Sequence, residues 1–188
     1  MDISESVLNT LAVNVATLLS ERKLTISTAE SCTGGWVGKE LTGIPGSSKW
    51  YGTGFITYSN QAKHNLLNVS KESLINHGAV STVVVEEMAK GAKKQSKSDL
   101  SIAISGIAGP TGGTKDKPVG SVCFAYSDSK GTKSFEKIFK TFTISQSNIY
   151  KENKNSILIN KFSNGFINNI YFSIRVILKC ITREELSN

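Results

Sequence analysis

Histidine is scarce in this chain: His64 and His77 are the only two in 188 residues. Neither stands at ligand spacing from a cysteine or carboxylate, which excludes the usual zinc signatures, so neither metal nor cofactor is expected. Neither is set by a motif to activate Cys32, so a Cys/His mechanism is disfavoured and a buried Cys32 is the plainer reading. Cysteine is sparse and odd in number, with Cys32, Cys123 and Cys180 far apart. That excludes a disulfide framework and points to reduced thiols in a cytoplasmic protein. Long apolar runs are missing too. The stretch 170–181 is broken by Arg175 and Lys179 and is too short to cross a bilayer. The opening Met1-Asp2-Ile3-Ser4-Glu5 is acidic and polar, the reverse of a secretory leader.

The chain also lacks an Arg-rich run or basic residues interleaved with aromatics. Its 22 Lys and Arg against 15 Asp and Glu leave a net charge of +7, scattered through loops and tail. Positive balance of that kind is a weak footprint for nucleic acid and suits a phosphorylated small molecule equally well.

What is present reads as one α/β domain over residues 1–142, followed by a divergent Asn/Ile/Lys-rich tail, 143–188. Val7, Leu8, Leu11, Val15, Leu18 and Leu19 recur at helical spacing over 4–22. A short strand is expected at 24–28, then a helix within 36–41 that ends by Gly43-Ile44-Pro45-Gly46. Residues 51–59 read as a second strand, 61–67 and 71–76 as short helices, and 83–94 as a longer one. Strands follow at 100–107, 119–126 and 132–142, the last two joined as a hairpin around Asp128-Ser129-Lys130-Gly131. This order predicts a three-layer α/β/α domain with a mixed sheet. The Asn-rich stretch 145–160 is expected to be loop, and 166–186 a closing helix or a strand.

The chemistry gathers at the expected strand ends. Thr28-Ala29-Glu30-Ser31-Cys32-Thr33-Gly34-Gly35 reads as strand, glycine turn and helix start, with Ser31 at the apex. Unpaired amides at such a helix start suit an anion or an oxyanion, so Thr33, Gly34 and Gly35 are candidate donors. The bland alternative makes Ser31 an ordinary helix cap. Tyr58 stands at the end of the second expected strand and Lys63 one turn into the next helix, so both are expected over the same sheet edge. Lys63 would act as a base if burial lowers its pKa. Alternatively it stays protonated and lowers that of Tyr58, which then takes the proton from Ser31. Taken singly, each also reads as an edge aromatic and a solvated charge. A second glycine loop, Gly106-Ile107-Ala108-Gly109-Pro110-Thr111-Gly112-Gly113, matches neither a Walker loop nor a dinucleotide fingerprint. As a strand-terminal nest it still suits phosphate.

These segments, with Gly46-Ser47-Ser48, Gly54-Phe55-Ile56-Thr57-Tyr58-Ser59-Asn60-Gln61-Ala62-Lys63, His77-Gly78-Ala79-Val80-Ser81 and Lys117-Pro118-Val119-Gly120, resemble the CinA C-terminal domain family. The resemblance runs from about residue 24 to about 142 and rests on several ordered motifs. It implies metal-independent hydrolysis of nicotinamide mononucleotide to nicotinate mononucleotide and ammonia. It also implies Ser31, Tyr58 and Lys63 as the catalytic group, Ser48 as a further substrate contact, and at least a homodimer. Substrate binding is carried onto Thr33, Gly34, Gly35, Gly106, Ala108, Gly109, Gly112 and Gly113. The alternative is a catalytically silent nucleotide-binding or interaction domain linked to competence or DNA damage. The family's closing F-x-G-x-R-x-x-V-R pattern is not intact after Phe139. Phe162-Ser163-Asn164-Gly165 and Ile174-Arg175 read as displaced remnants, or the tail is unrelated sequence.

Overall fold

The computed structural model describes residues 5–109 and 111–139. In order the chain forms α1 (Glu5–Arg22), β1 (Ile26–Glu30), α2 (Trp36–Thr42), a 3-10 turn (Ser47–Lys49), β2 (Tyr51–Ile56), α3 (Asn60–Leu67), α4 (Lys71–His77), α5 (Thr82–Ser96), β3 (Leu100–Gly106), β4 (Ser121–Ser127) and β5 (Thr132–Ile138). The strands lie in the order β2-β1-β3-β4-β5. β1 is parallel to both β2 and β3, whereas β4 runs antiparallel to β3 and β5. The expected mixed sheet is therefore present, and β4 and β5 form the expected hairpin, closed by the bond from Asp128 N to Gly131 O.

Two cores cover the two faces of this sheet. On one, Leu8, Val15 and Leu19 of α1 and Val37 and Leu41 of α2 meet Ile26, Ile102, Ile104, Val122 and Phe124. On the other, Val84, Val85, Met88 and Ala89 of α5 and Leu67 of α3 meet Ala29, Ala103, Cys123 and Ala125. The small strand residues on this second face let α5 approach closely, and Gly91 extends the fit. A Cβ there would collide with the carbonyl of Leu67 at the end of α3. Serine caps start the helices of this layer: Ser59 Oγ accepts from Ala62 N, Ser70 Oγ from Glu72 N and Ser73 N, and Ser81 Oγ from Val84 N.

Two boundaries differ from expectation and move functional residues. β1 begins and ends two residues later than 24–28, because Ala29 and Glu30 still pair with Phe55 and Ile56 on one side and Ala103 and Ile104 on the other. Glu30 is thereby the last strand residue and Ser31 the first beyond it. β2 stops at Ile56 rather than running to 59, so Tyr58 lies outside the strand. The tail 143–188, with its loop, closing element and arginine remnants, lies outside the described residues.

Candidate active site

Ser31 is held at the carboxyl edge of the sheet by its neighbours' backbones. Its amide donates to Ile104 O at 3.0 Å, and its carbonyl accepts from Gly34 N at 3.1 Å. The turn then needs two successive left-handed residues, Gly34 at φ 61° and Gly35 at φ 96°, which explains the glycine pair.

The helix start that follows is already occupied by an anion from the same chain. Glu30 is 1% exposed. Its carboxylate accepts from Thr33 Oγ1 at 2.6 Å, Gly35 N at 3.1 Å, Val37 N at 3.1 Å and Gly38 N at 2.8 Å. The first amides of α2 and the positive end of its dipole are thus turned inward, on the face away from Ser31. This corrects the expectation of unpaired amides at this helix start: Gly34 N and Gly35 N are both engaged. Thr33 N and Cys32 N have no backbone acceptor among the described residues. Burial pushes the Cys32 thiol up to about 12, so Cys32 is a poor nucleophile at neutral pH. A Cβ on Gly106 would lie 3.1 Å from Cys32 Sγ and 2.9 Å from Ser121 O, so the Ser31–Cys32 turn and the end of β3 require glycine for their close approach.

Continuing the sheet register by one residue sets Ser31 between Thr57 and Ser105, on the face that α3 and α5 cover. Lys63 reaches this row from the first turn of α3. It is 1% exposed and among the largest fully buried side chains of the fold. Its Nζ lies 3.0 Å from Ser31 Oγ, 2.8 Å from Thr57 O and 3.5 Å from Tyr58 O. Burial lowers its pKa from the ordinary lysine value, only partly offset by the neighbouring Cys32. The three oxygens match the three N–H bonds of an ammonium; in the neutral amine the two carbonyls take its two N–H bonds and Ser31 Oγ faces the lone pair. Thr57 Oγ1 and Ser121 Oγ on the same face are buried without a hydrogen-bond partner among the described residues.

The remaining candidates sort by position. Tyr58 contributes its carbonyl to Lys63, while its side chain is 74% exposed, so the phenol and the ammonium do not converge as expected. Ser48 is exposed in the 3-10 turn that precedes β2, at the opposite edge of the sheet from Ser31. The second glycine loop folds over the β3–β4 junction through Ile107 N to Ser121 O and Gly120 N to Ile107 O. The amides of Ala108, Gly109, Gly112 and Gly113 have no acceptor among the described residues. Two residues missed from sequence are Glu30 and Thr57. The first was inside the quoted motif, but a buried carboxylate turned back onto its own helix start has no periodic signal. The second acts through its carbonyl, which no side-chain pattern reports.

The sequence profile of the CinA C-terminal domain matches residues 8–152. The nicotinamide-nucleotide amidohydrolase PncC of Escherichia coli is 51% identical over 129 residues, which is 69% of this chain and 78% of that protein. A putative competence-damage inducible protein of Symbiobacterium thermophilum is 59% identical over 116 residues, 62% of this chain but 27% of that longer protein, so the chain corresponds to about a quarter of it. Among solved structures, a competence-damaged protein (CinA) superfamily protein from Klebsiella pneumoniae superposes with a TM-score of 0.79 at 30% identity, covering 94% of this chain and 98% of that one.

Proposed function

We propose, for a chain that belongs to the CinA C-terminal domain family, that it is an amidase hydrolysing the carboxamide of nicotinamide mononucleotide to nicotinate mononucleotide and ammonia. The observation that carries this reading is the buried Lys63 Nζ at 3.0 Å from Ser31 Oγ. The family likeness to PncC supplies the substrate class.

Neutral Lys63 takes the proton from Ser31 Oγ as that oxygen attacks the amide carbon. The carbonyls of Thr57 and Tyr58 hold the amine in line throughout. The resulting lysine ammonium then returns the proton to the departing nitrogen, giving ammonia and an acyl-serine ester. Water, deprotonated by the same lysine, opens the ester and restores Ser31. The amides of Thr33 and Cys32 stand in for the oxyanion donors, since those of Gly34 and Gly35 are engaged. Tyr58 enters through its backbone, so Lys63 rather than the phenol is the base in this scheme. The substrate phosphate is assigned to the side of the 106–113 loop, because Glu30 already fills the start of α2.

Ammonia release from nicotinamide mononucleotide by the parent chain, Ser31→Ala and Lys63→Ala tests the scheme. Loss of about 10³-fold or more in kcat for Ser31→Ala, with Lys63→Ala falling about 10²–10⁴-fold, is the expected result. No turnover by the parent chain, together with tight binding of the mononucleotide, would instead identify a silent nucleotide-binding domain.

A further inference from the structure

We propose that Lys117 forms the phosphate subsite of this site, its ammonium being held by two neutral carbonyls and by no carboxylate among the described residues. The proposal rests on the mononucleotide reading above and adds the residue that recognises the phosphate. Two alternatives are already spent. The start of α2 is filled by Glu30, and Lys63 is enclosed against Ser31 and two carbonyls.

Lys117 is fixed at both ends. Its amide donates to Thr114 Oγ1 at 3.1 Å and its carbonyl accepts from Thr114 N at 2.8 Å, so its backbone belongs to the turn that closes the second glycine loop. Its Nζ donates to His77 O at 2.8 Å and Val80 O at 2.7 Å, on the α4–α5 connection. An ammonium has three donors, and these two acceptors are neutral carbonyls. Among the described residues Lys117 makes no ion pair, whereas Lys39 and Lys90 are paired with Glu40 and Glu86. One N–H and the whole charge are therefore left for an anion, and a phosphate oxygen meets such a donor in a charge-assisted bond.

The connection that holds Lys117 also ties it to the nucleophile. Ala79 O, between the two carbonyls that Lys117 holds, accepts from Ser105 Oγ at 2.8 Å. Ser105 is the register neighbour of Ser31. The Ser105 bond to Ala79 O and the Lys117 bonds to His77 O and Val80 O therefore set the ammonium on the connection that is tied to the nucleophile's own row of the sheet. A carboxamide held at Ser31 and a phosphate held at Lys117 would be the two ends of one bound mononucleotide. The amides of Ala108, Gly109, Gly112 and Gly113, which have no acceptor among the described residues, belong to the loop whose closing turn carries Lys117 and can share the phosphate oxygens.

Lys117→Met keeps the stem and removes the charge, and Lys117→Arg keeps the charge. Steady-state hydrolysis of nicotinamide mononucleotide and of nicotinamide riboside, which lacks the phosphate, separates recognition from chemistry. In Lys117→Met the KM for the mononucleotide should rise about 10–100-fold with kcat nearly constant. The kcat/KM preference for mononucleotide over riboside should fall by the same factor, and Lys117→Arg should restore part of it. An unchanged preference would overturn the proposal, as would equal losses on both substrates, which would mark Lys117 as a latch for the α4–α5 connection. Calorimetric titration with inorganic phosphate keeps the subsite testable if the parent chain releases no ammonia. Binding lost in Lys117→Met supports the subsite while the amidase reading fails, and equal binding by both proteins removes the subsite.

Discussion

At the residue scale the site turns on one buried amine. Lys63 is enclosed, its partners are neutral, and burial holds its pKa below the ordinary value. A lysine with a lowered folded pKa binds fewer protons folded than unfolded, so burial opposes its charged form and the neutral form gains as pH rises. Because the base in the proposed scheme must be neutral, kcat/KM should climb with pH along an acid limb whose midpoint lies below the reference lysine value of about 10.4. The pH–rate profile of the parent chain reads this directly. The same linkage makes the fold less stable below the folded pKa, where the ammonium must be buried, and relieves it as pH rises toward the unfolded pKa. Denaturant midpoints for the parent and Lys63→Met across that window should converge at high pH. Glu30 makes a second prediction at this scale. Its carboxylate accepts from two hydroxyls and three amides, and Glu30→Gln would turn an NH2 group onto donors. A cost of about 1–3 kcal/mol is expected in urea unfolding, with kcat falling more than KM changes, because the turn that aims Ser31 loosens. Glu30→Asp, which keeps the charge, should recover part of the kcat.

At the scale of elements, the site depends on how close α3 can lie to α5. Lys63 and Leu67 sit on the inner face of α3, and α5 presents Gly91 where α3 ends. Gly91→Ala gains helix propensity on an isolated helix, yet here its methyl group would strike the Leu67 carbonyl. Such overpacking typically costs about 1–3 kcal/mol, and the displacement of α3 would carry Lys63 away from Ser31. Thermal unfolding and ammonia release measured on the same variant should therefore fall together. The 106–113 loop obeys a similar constraint. A Cβ at Gly109 would lie 2.5 Å from Val119 Cγ1 at a φ of 81°, so a bulky residue there would reshape the loop as well as any phosphate contact. Charge removal at Lys117 is the cleaner probe.

At the scale of the whole molecule, the sheet divides its chemistry between its faces. One face carries Glu30 and the enclosed start of α2; the other carries Ser31, Thr57, Ser105 and Lys63 under α3 and α5. The carboxylate of Glu30 is buried with its own donors, away from the face that carries Ser31. The anionic substrate proposed here meets that face, and the modest net charge of +7 supports its approach.

The sequence alone determined much of this. Apolar spacing in α1, serine caps ahead of α3 and α5, and a turn signal at Asp128-Ser129-Lys130-Gly131 act within a few residues, so each element was legible from its own residues. The Gly34–Gly35 turn was equally local, since consecutive positive φ angles have few other solutions. Only the tertiary structure decided which groups share a space. The end of β1 depended on pairing with both β2 and β3, and that two-residue shift turned Glu30 into a cap for α2. Tyr58 and Lys63 stand five residues apart, yet one is exposed and the other enclosed, because β2 ends at Ile56 and α3 turns its inner face to α5. Ser48, close to Tyr58 in the chain, is carried by the parallel strand to the far edge. Burial, register and the direction of a strand are properties of contacts between distant segments, and the contact between Lys63 and Ser31 is one of them.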